Sequence, residues 1–487
     1  MRPFWKTAIG NRFRENGLLA GVGITAPPCH PDRPSFAGRS NRQGSPLPGP
    51  DTIAKSQASH HAPCKLWRRS GGFCNTSSFY RRPSYRSNRT AKTWRRSILA
   101  REIVIVGGGI VGVSVTLELA RRSDVRVTLI ERDGERPRGS TAFAPGFVGL
   151  YNDAPILVEL AMASASAYRA AGGGFTQAGG LELATSEAGA VDIERRSRAA
   201  RAAGLNSTML EPDELPEAIA AFVDARRIVA AAYGADDAVA DPSTLTALLR
   251  AQAKARGAQF VSGKVVAIDA VGNQIAVTVS AGERFVADDV VLAGGVWGSF
   301  LAEIVGLSLP LIPVAHPYVY SAANGRLAAG PFVRWPEQHV YARVHSDRLG
   351  IGSYDHRPVP VGLVDLEGGA GLGWDAAFDP VIGSAQQLLR SDIRFEPEQR
   401  INGVFAMTPD NLPFLGRHPS MAGVWVAQAI WVTHGAGAAA RLVDAMTGGN
   451  ALPDELAVNR FAGQPANVLE DAALRLYRDI YANESAA

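Results

Sequence analysis

The segment REIVIVGGGIVGVSVTLELARRSDVRVTLIE, residues 101–131, narrows the possible folds more than any other. Glu102–Val106 is a short, almost unbroken apolar run of the kind a parallel strand buried on both faces needs. It runs into Gly107-Gly108-Gly109-Ile110-Val111-Gly112, which spells GxGxxG through Gly107, Gly109 and Gly112. The first glycine makes the tight turn, and the second lets a pyrophosphate touch the backbone. The third lets the following helix pack close to the strand. The N–H groups opening that helix, around Ile110 and Val111, then face the phosphates. The helix is expected from Val111 to about Arg122, and a second strand, Arg126–Ile130, ends at Glu131, 19 residues past Gly112. A carboxylate there accepts hydrogen bonds from both ribose hydroxyls of an adenosine and repels a ribose phosphate. Dinucleotide binding is expected, with NADP disfavoured and FAD and NAD both open; the alternative is a glycine-rich turn in an ordinary βαβ unit.

The next stretch separates the two cofactors. Arg132–Arg138 is a polar loop, followed by Gly139-Ser140-Thr141-Ala142-Phe143-Ala144-Pro145-Gly146. Small hydroxyl residues between glycines suit a loop lying along a pyrophosphate and under a flat ring system. Here the chain resembles the family of FAD-dependent amine oxidoreductases that contains dimethylglycine oxidase, dimethylglycine dehydrogenase and sarcosine dehydrogenase. Those proteins carry a GSTSHAPG- or GTTWHAAG-like motif whose His bonds covalently to the flavin. The aligned residue is Phe143, so the resemblance implies FAD bound noncovalently, with Arg132, Ser140, Thr141, Phe143, Ala144 and Pro145 among its contacts.

Charge is unevenly spread. Residues 1–99 hold 18 Lys and Arg against 3 Asp and Glu, whereas the remainder holds 32 against 43. The basic excess belongs to the leader, and a mildly acidic body argues against a nucleic-acid partner. Cys29, Cys64 and Cys74 also lie in the leader, which leaves the body without a disulfide, a thiolate metal site or a cysteine nucleophile. No apolar run reaches the length of a membrane span, and no metal site is expected. Residues 1–99 are rich in Arg, Ser and Pro and read as a disordered basic extension. They have the composition of a transit peptide but unusual length for one. The expected location is therefore cytoplasmic, or the mitochondrial matrix if the chain is eukaryotic and the extension is such a peptide.

The body divides into a first FAD-binding part (100–185), a helical substrate-side segment (186–240), a second FAD-binding part (241–300), a substrate-binding sheet (301–395) and a third FAD-binding part with the C-terminal tail (396–487). The fold class is α/β: a Rossmann-like FAD-binding domain with an inserted, mainly antiparallel α+β substrate-binding domain. Asp241-Pro242-Ser243 starts a helix with Asp as N-cap, expected to end at Gly257. A meander follows (Val265–Ile268, Ile275–Val279, Arg284–Val286), then a buried strand, Asp289–Ala293, running into Gly294-Gly295-Val296-Trp297. This order recurs in the glycine oxidase and D-amino acid oxidase superfamily, which implies that Gly294 and Trp297 border FAD. It also implies that Val265 touches the adenine side; the other reading of Val265 is a plain core residue. Near the end, Thr433-His434-Gly435-Ala436-Gly437 is close to the family's VTHSAG, with Gly435 in place of the Ser, and opens a helix expected over Ala438–Thr447. Its positive end, with Thr433, His434 and Gly435, suits the pyrimidine end of flavin.

In LPLIPVAHPYVY (309–320), strand alternation puts His316, Tyr318 and Tyr320 on one face, and Pro317 suggests a strand start or edge. Asp347–Pro358 reads DRLGIGSYDHRP and closely matches dimethylglycine oxidase. By the resemblance, Tyr318 aligns with that family's active-site Tyr. A second active-site residue, a His, falls on Tyr233, which puts dimethylglycine itself in doubt. Tyr318, Tyr233 and His316 are the catalytic candidates, with Tyr318 positioning the substrate. The implied reaction oxidises the C–N bond of a small secondary or tertiary amino acid to an imine by hydride transfer to FAD, with oxygen or an electron-transfer protein as acceptor. The rival readings are a D-amino acid or cyclic imino acid dehydrogenase, a flavin-binding subunit without turnover, and, weakest, an NAD dehydrogenase.

Overall fold

The computed structural model describes residues 100–136 and 138–480; the basic extension and its three cysteines lie outside the described residues. A six-stranded sheet runs in the order Phe414–Arg417, Val424–Gln428, Asp289–Leu292, Arg101–Val106, Val125–Glu131, Gln259–Ser262, parallel except at its first pair. The GxGxxG strand is thus central, and the last four of its six residues are buried. Helix Ile110–Ala120 follows it and packs with helices Pro155–Arg169, Pro242–Ala255 and Gly435–Met446 in one apolar core. On the other face a three-stranded meander, Val265–Val271, Gln274–Val279 and Arg284–Ala287, closes a second core. Helix Pro242–Ala255 is capped as expected: the Asp241 carboxylate accepts from the Thr244 N–H at 3.0 Å, and Gly257 sits past its end at φ +90°.

The second large sheet has eight strands in the order Gln399–Met407, Ile312–Tyr320, Arg348–Ser353, Val340–His345, Phe332–Trp335, Gly180–Ala184, Ala230–Gly234, Ser207–Leu210, mostly antiparallel. Three assignments drawn from sequence are corrected here, the first being Gln399–Met407, given to the third FAD-binding part but pairing in this sheet with Ile312–Tyr320. Gly180–Ala184, assigned to the first FAD-binding part, pairs in this sheet, parallel to Phe332–Trp335. The segment 186–240, read as helical, contributes two further strands. A short run buried on both faces announces a strand but not which sheet will take it.

Pro317 also departs from expectation, because its strand is internal, flanked by Gln399–Met407 and Arg348–Ser353. Ala315, two residues earlier and so facing the same edge, donates its N–H to the Val359 carbonyl at 2.9 Å. Pairing with Arg348–Ser353 begins only at Tyr318. The N–H that proline lacks falls in the gap between those two partners, so no ladder bond is lost.

Candidate active site

A single cavity runs from the carboxyl end of the Arg101–Val106 strand to the inner face of the eight-stranded sheet. Its first end is the glycine bend. Gly107 has φ +111°, and a Cβ there would stand 2.3 Å from the Ala293 carbonyl oxygen. A Cβ on Gly112 would stand 1.9 Å from the Gly107 oxygen, so Gly112 does not line the cavity but lets the helix close on the turn. The helix starts at Ile110 with no side-chain cap and no acidic residue in its first turn. Thr141 Oγ1 takes the Ile110 N–H at 3.2 Å and so ties the Gly139–Gly146 loop to the helix start. Glu131 is aimed by the backbone: its carboxylate accepts from the N–H groups of Gly108 at 2.6 Å and Asp133 at 3.0 Å. Beside it, the buried Arg250 Nη2 has no hydrogen-bond partner among the described residues.

The loop supplies Ser140, Thr141, Phe143, Ala144 and Pro145 to the wall. Ser140 is anchored on the Val404 carbonyl at 2.7 Å, and Arg343 Nη1 reaches the carbonyls of Pro145, Gly146 and Ala240 at 3.0–3.1 Å. Arg132 lies 4.3 Å from the Trp297 ring centre, and Val265, Gly294 and Trp297 complete this end.

The far wall is one transverse row of the eight-stranded sheet. Arg334 pairs with Tyr341, Tyr341 with Gly352, Gly352 with Tyr318, and Tyr318 with Ile401. Residues directly opposite in neighbouring strands share a face, and Arg334, Tyr341, Tyr318 and Ile401 all line the cavity. The glycines of the GIGSY string make the row possible. A Cβ at Gly352 would stand 2.7 Å from both tyrosine rings, and one at Gly350 would be closer still to the Tyr318 hydroxyl. Without those side chains the two rings stack at 5.5 Å.

The FAD dependent oxidoreductase family matches residues 102–445 of this chain. The chain belongs to that family. Mouse mitochondrial sarcosine dehydrogenase is 26% identical over 66% of the chain, and human mitochondrial dimethylglycine dehydrogenase 27% over 67%. The chain spans only 37% and 40% of the length of those two relatives. Glycine oxidase of Geobacillus kaustophilus is 29% identical, with 67% of this chain and 86% of that protein covered. The crystal structure of glycine oxidase from Geobacillus kaustophilus superposes with a TM-score of 0.64 at 25% identity, covering 75% of this chain and all of that one. L-proline dehydrogenase from P. horikoshii, at 22% identity and TM-score 0.61, shares the fold.

The residues present fit the dinucleotide this oxidoreductase family uses. A glycine bend with no room for a Cβ at Gly107, a helix start whose N-cap, Gly109, has no side chain, and a backbone-oriented carboxylate stand together at one end of the cavity. Expectations about two residues and one helix boundary change. Tyr233 is absent from the cavity wall; its ring packs against Gly179, whose Cβ would stand 2.4 Å from Tyr233 Cε2. Its strand lies near the outer edge of the eight-stranded sheet, with only Ser207–Leu210 beyond it. Gly435 is likewise off the wall: it makes room for the Tyr168 hydroxyl, 2.6 Å from where its Cβ would be. The helix Gly435–Met446, which a further helix, Ala466–Arg478, follows, begins three residues ahead of expectation, with Val432–His434 as a preceding 3₁₀ turn. Its Ala436 and Gly437 N–H groups are taken by Tyr168 at 3.2 Å and Ser164 at 2.8 Å. Thr433 and His434 do line the cavity, and burial pushes the His434 imidazole down to about 4.

Tyr318 and His316 both face the cavity. Burial, then Tyr320, hold the Tyr318 phenol well above its ordinary range, and its hydroxyl meets His345 Nε2 at 2.9 Å. Burial, then His356, hold His316 well below its own, so it is neutral at physiological pH. The sequence reading overlooked Arg334, Tyr341 and Tyr354. An arginine inside the apolar FVRW strand was the available signal, because a charge in such a run has to be paired.

That pairing is Glu182, buried between Arg334 at 3.0 Å and Arg196 at 3.0 Å. Burial opposes its ionisation, yet the two guanidinium groups outweigh it and hold the carboxyl at about 2. Its folded value lies below its unfolded one, so its stabilisation is present above about pH 4.5 and is lost as pH falls toward 2. Glu182→Gln is expected to cost about 3 kcal/mol at neutral pH, with the gap to the native protein narrowing through that window. Urea unfolding at neutral pH and at about pH 3.5 checks both the size and the direction; a gap that widens in acid contradicts it.

Proposed function

We propose that this protein oxidises the C–N bond of a small secondary or tertiary amino acid, of the N-methylglycine kind, with noncovalently bound FAD. The observation that carries the reading is the Arg334–Tyr341–Tyr318 row, facing the same cavity as the glycine cradle. Bound FAD would accept the electron pair and hydrogen leaving the carbon next to nitrogen. The chain's own residues do the rest.

The Val111 N–H at the helix start, with the close backbone approach that Gly107 and Gly109 allow, holds the pyrophosphate, Ile110 being bonded to Thr141, and Glu131 holds the adenosine ribose. Ser140–Pro145, Thr433 and His434 frame the ring system. Phe143 has no nucleophilic atom, so nothing at that place can bond to the cofactor. Arg334 binds the substrate carboxylate: of the described cationic side chains on the wall, Arg132 and Lys264 belong to the end with Trp297 and Val265. Tyr341 and Tyr318 orient the amine, and the aromatic wall with Tyr354 and Phe405 excludes water.

Acid precipitation of the purified protein is expected to leave the yellow colour in the supernatant; colour retained in the pellet would overturn noncovalent binding. Anaerobic mixing with sarcosine, dimethylglycine, L-proline and D-alanine then tests the substrate class. The N-methylated glycines should bleach the flavin fastest, whereas fastest bleaching by proline or D-alanine favours the imino acid or D-amino acid alternative. A flavin that stays oxidised with all four refutes amine oxidation.

A further inference from the structure

Behind Tyr341 a line of hydrogen bonds leaves the cavity. The Tyr341 hydroxyl meets His316 Nε2 at 2.5 Å, His316 Nδ1 meets the Tyr477 hydroxyl at 2.5 Å, and that hydroxyl meets His356 Nε2 at 2.8 Å. His356 Nδ1 lies 2.9 Å from the Arg357 carbonyl. The first three residues are buried, and His356 is half-buried in an exposed loop.

The direction of every bond follows from the last one. A carbonyl only accepts, so His356 carries its proton on Nδ1, and its neutral ring offers a lone pair at Nε2. Tyr477 has one proton, which it gives to His356; it therefore accepts from His316 Nδ1–H. The Ala315 carbonyl, at 3.1 Å, is the longer alternative acceptor for Tyr477. His316 is then left with a lone pair at Nε2, which accepts from Tyr341. All four donors point the same way, from the cavity to the surface.

We propose that Tyr341, His316, Tyr477 and His356 are a proton relay that carries the ammonium proton of the substrate from the cavity to solvent. The inference rests on the amine-oxidising reading given above. An amine must lose that proton before its C–N bond can be oxidised, and the one carboxylate among the described residues lining the cavity, Glu131, stands at the dinucleotide end. The substrate N–H bond breaks as Tyr341 oxygen gains a proton, and the Tyr341 proton passes to His316 Nε2. The His316 Nδ1 proton passes to Tyr477, and the Tyr477 proton to His356 Nε2. The resulting imidazolium releases its Nδ1 proton to water. No electrons move, and ring and hydroxyl rotations restore the starting orientation.

Tyr341 is the catalytic residue of the four; the others act through it. The groups facing the relay are Tyr318 and Tyr354 against Tyr341 and His316, and Asp355 and Arg478 beside His356. Asp355 and Arg478 are paired with each other, which leaves the exit end close to neutral.

Two measurements on the holoenzyme test the relay. In the ¹⁵N-histidine spectrum, assigned with His316→Asn and His356→Asn, both rings should carry the proton on Nδ1; an Nε2–H form of either ring overturns the proposal. The second is anaerobic flavin reduction against pH, with the four amines named above. Tyr477→Phe should slow reduction about 10- to 100-fold below the pKa of the substrate ammonium and match the native rate above it, where no proton needs to leave. His356→Gln, at the half-exposed end, should repeat that profile without disturbing the core. A loss equal at every pH, or no loss in either variant, overturns the relay. Failure of all four amines to reduce the flavin refutes the function, while the tautomers still decide whether the relay exists.

Discussion

Gly112→Ala is expected to purify colourless. The added Cβ would stand 1.9 Å from the Gly107 carbonyl oxygen and 3.0 Å from its carbon, both backbone atoms of the turn itself. No rotamer relieves that contact, so either helix Ile110–Ala120 moves off the strand or the turn opens. Overpacking against fixed atoms costs about 3 kcal/mol or more, and the same movement carries the helix-start N–H groups away from the phosphates. Flavin absorbance after dialysis and the melting temperature should both fall. Gly108→Ala is the informative comparison. Its Cβ would meet Arg250 Nη2 at 2.9 Å and Glu131 Oε2 and Cβ at 3.0 Å; the first two are side-chain ends that can give way, and the Cβ contact needs far less movement than the 1.9 Å overlap at Gly112. That variant should keep its colour with weaker affinity. Equal retention in the two proteins would contradict the role assigned to the glycine bend.

Arg334→Met should raise KM for a carboxylated amine about 100- to 1000-fold, while turnover at saturation changes far less. Losing a buried charge-assisted pair costs about 3–4 kcal/mol, at 1.4 kcal/mol per factor of ten. The variant should still fold, because Glu182 keeps Arg196 at 3.0 Å. A matched amine without a carboxylate, such as dimethylamine, separates the two meanings of a rate loss. If Arg334 anchors the carboxylate, slow oxidation of dimethylamine is the same in both proteins. If dimethylamine oxidation falls equally, Arg334 serves the architecture of the wall and the assignment is wrong.

These two sites differ in how far they could be read from the chain. The dinucleotide end is local: Gly107, Gly109, Gly112 and Glu131 lie within a single strand–turn–helix–strand unit, and each has a conformational or electrostatic reason that spacing alone conveys. The GSTAFAPG loop follows directly and is pinned to the helix start by Thr141. The GIGSY string was recognisable as a motif, but its reason was not. Gly350 and Gly352 exist for the sake of Tyr318 and Tyr341, which sit on two other strands. Tyr233 shows the opposite failure. A motif alignment placed it beside the substrate, and strand pairing carried it across the eight-stranded sheet to face Gly179.

By itself, the order of residues determined that a βαβ unit with a dinucleotide cradle forms near residue 101, that helices start at Asp241 and close to Gly435, and that His316, Tyr318 and Tyr320 share one strand face. Those outcomes depend on periods of two and 3.6 residues and on glycine stereochemistry, which act over a turn or two of chain. Only the tertiary structure decided that Arg334, Tyr341 and Tyr318 stand abreast and that His316 links Tyr341 to Tyr477 near the C-terminal end. It also decided that Pro317 can occupy an internal strand. Each of these depends on the register between strands or on a helix docking over a sheet. Side-chain alternation says which face a residue occupies, but not which distant strand will lie beside it.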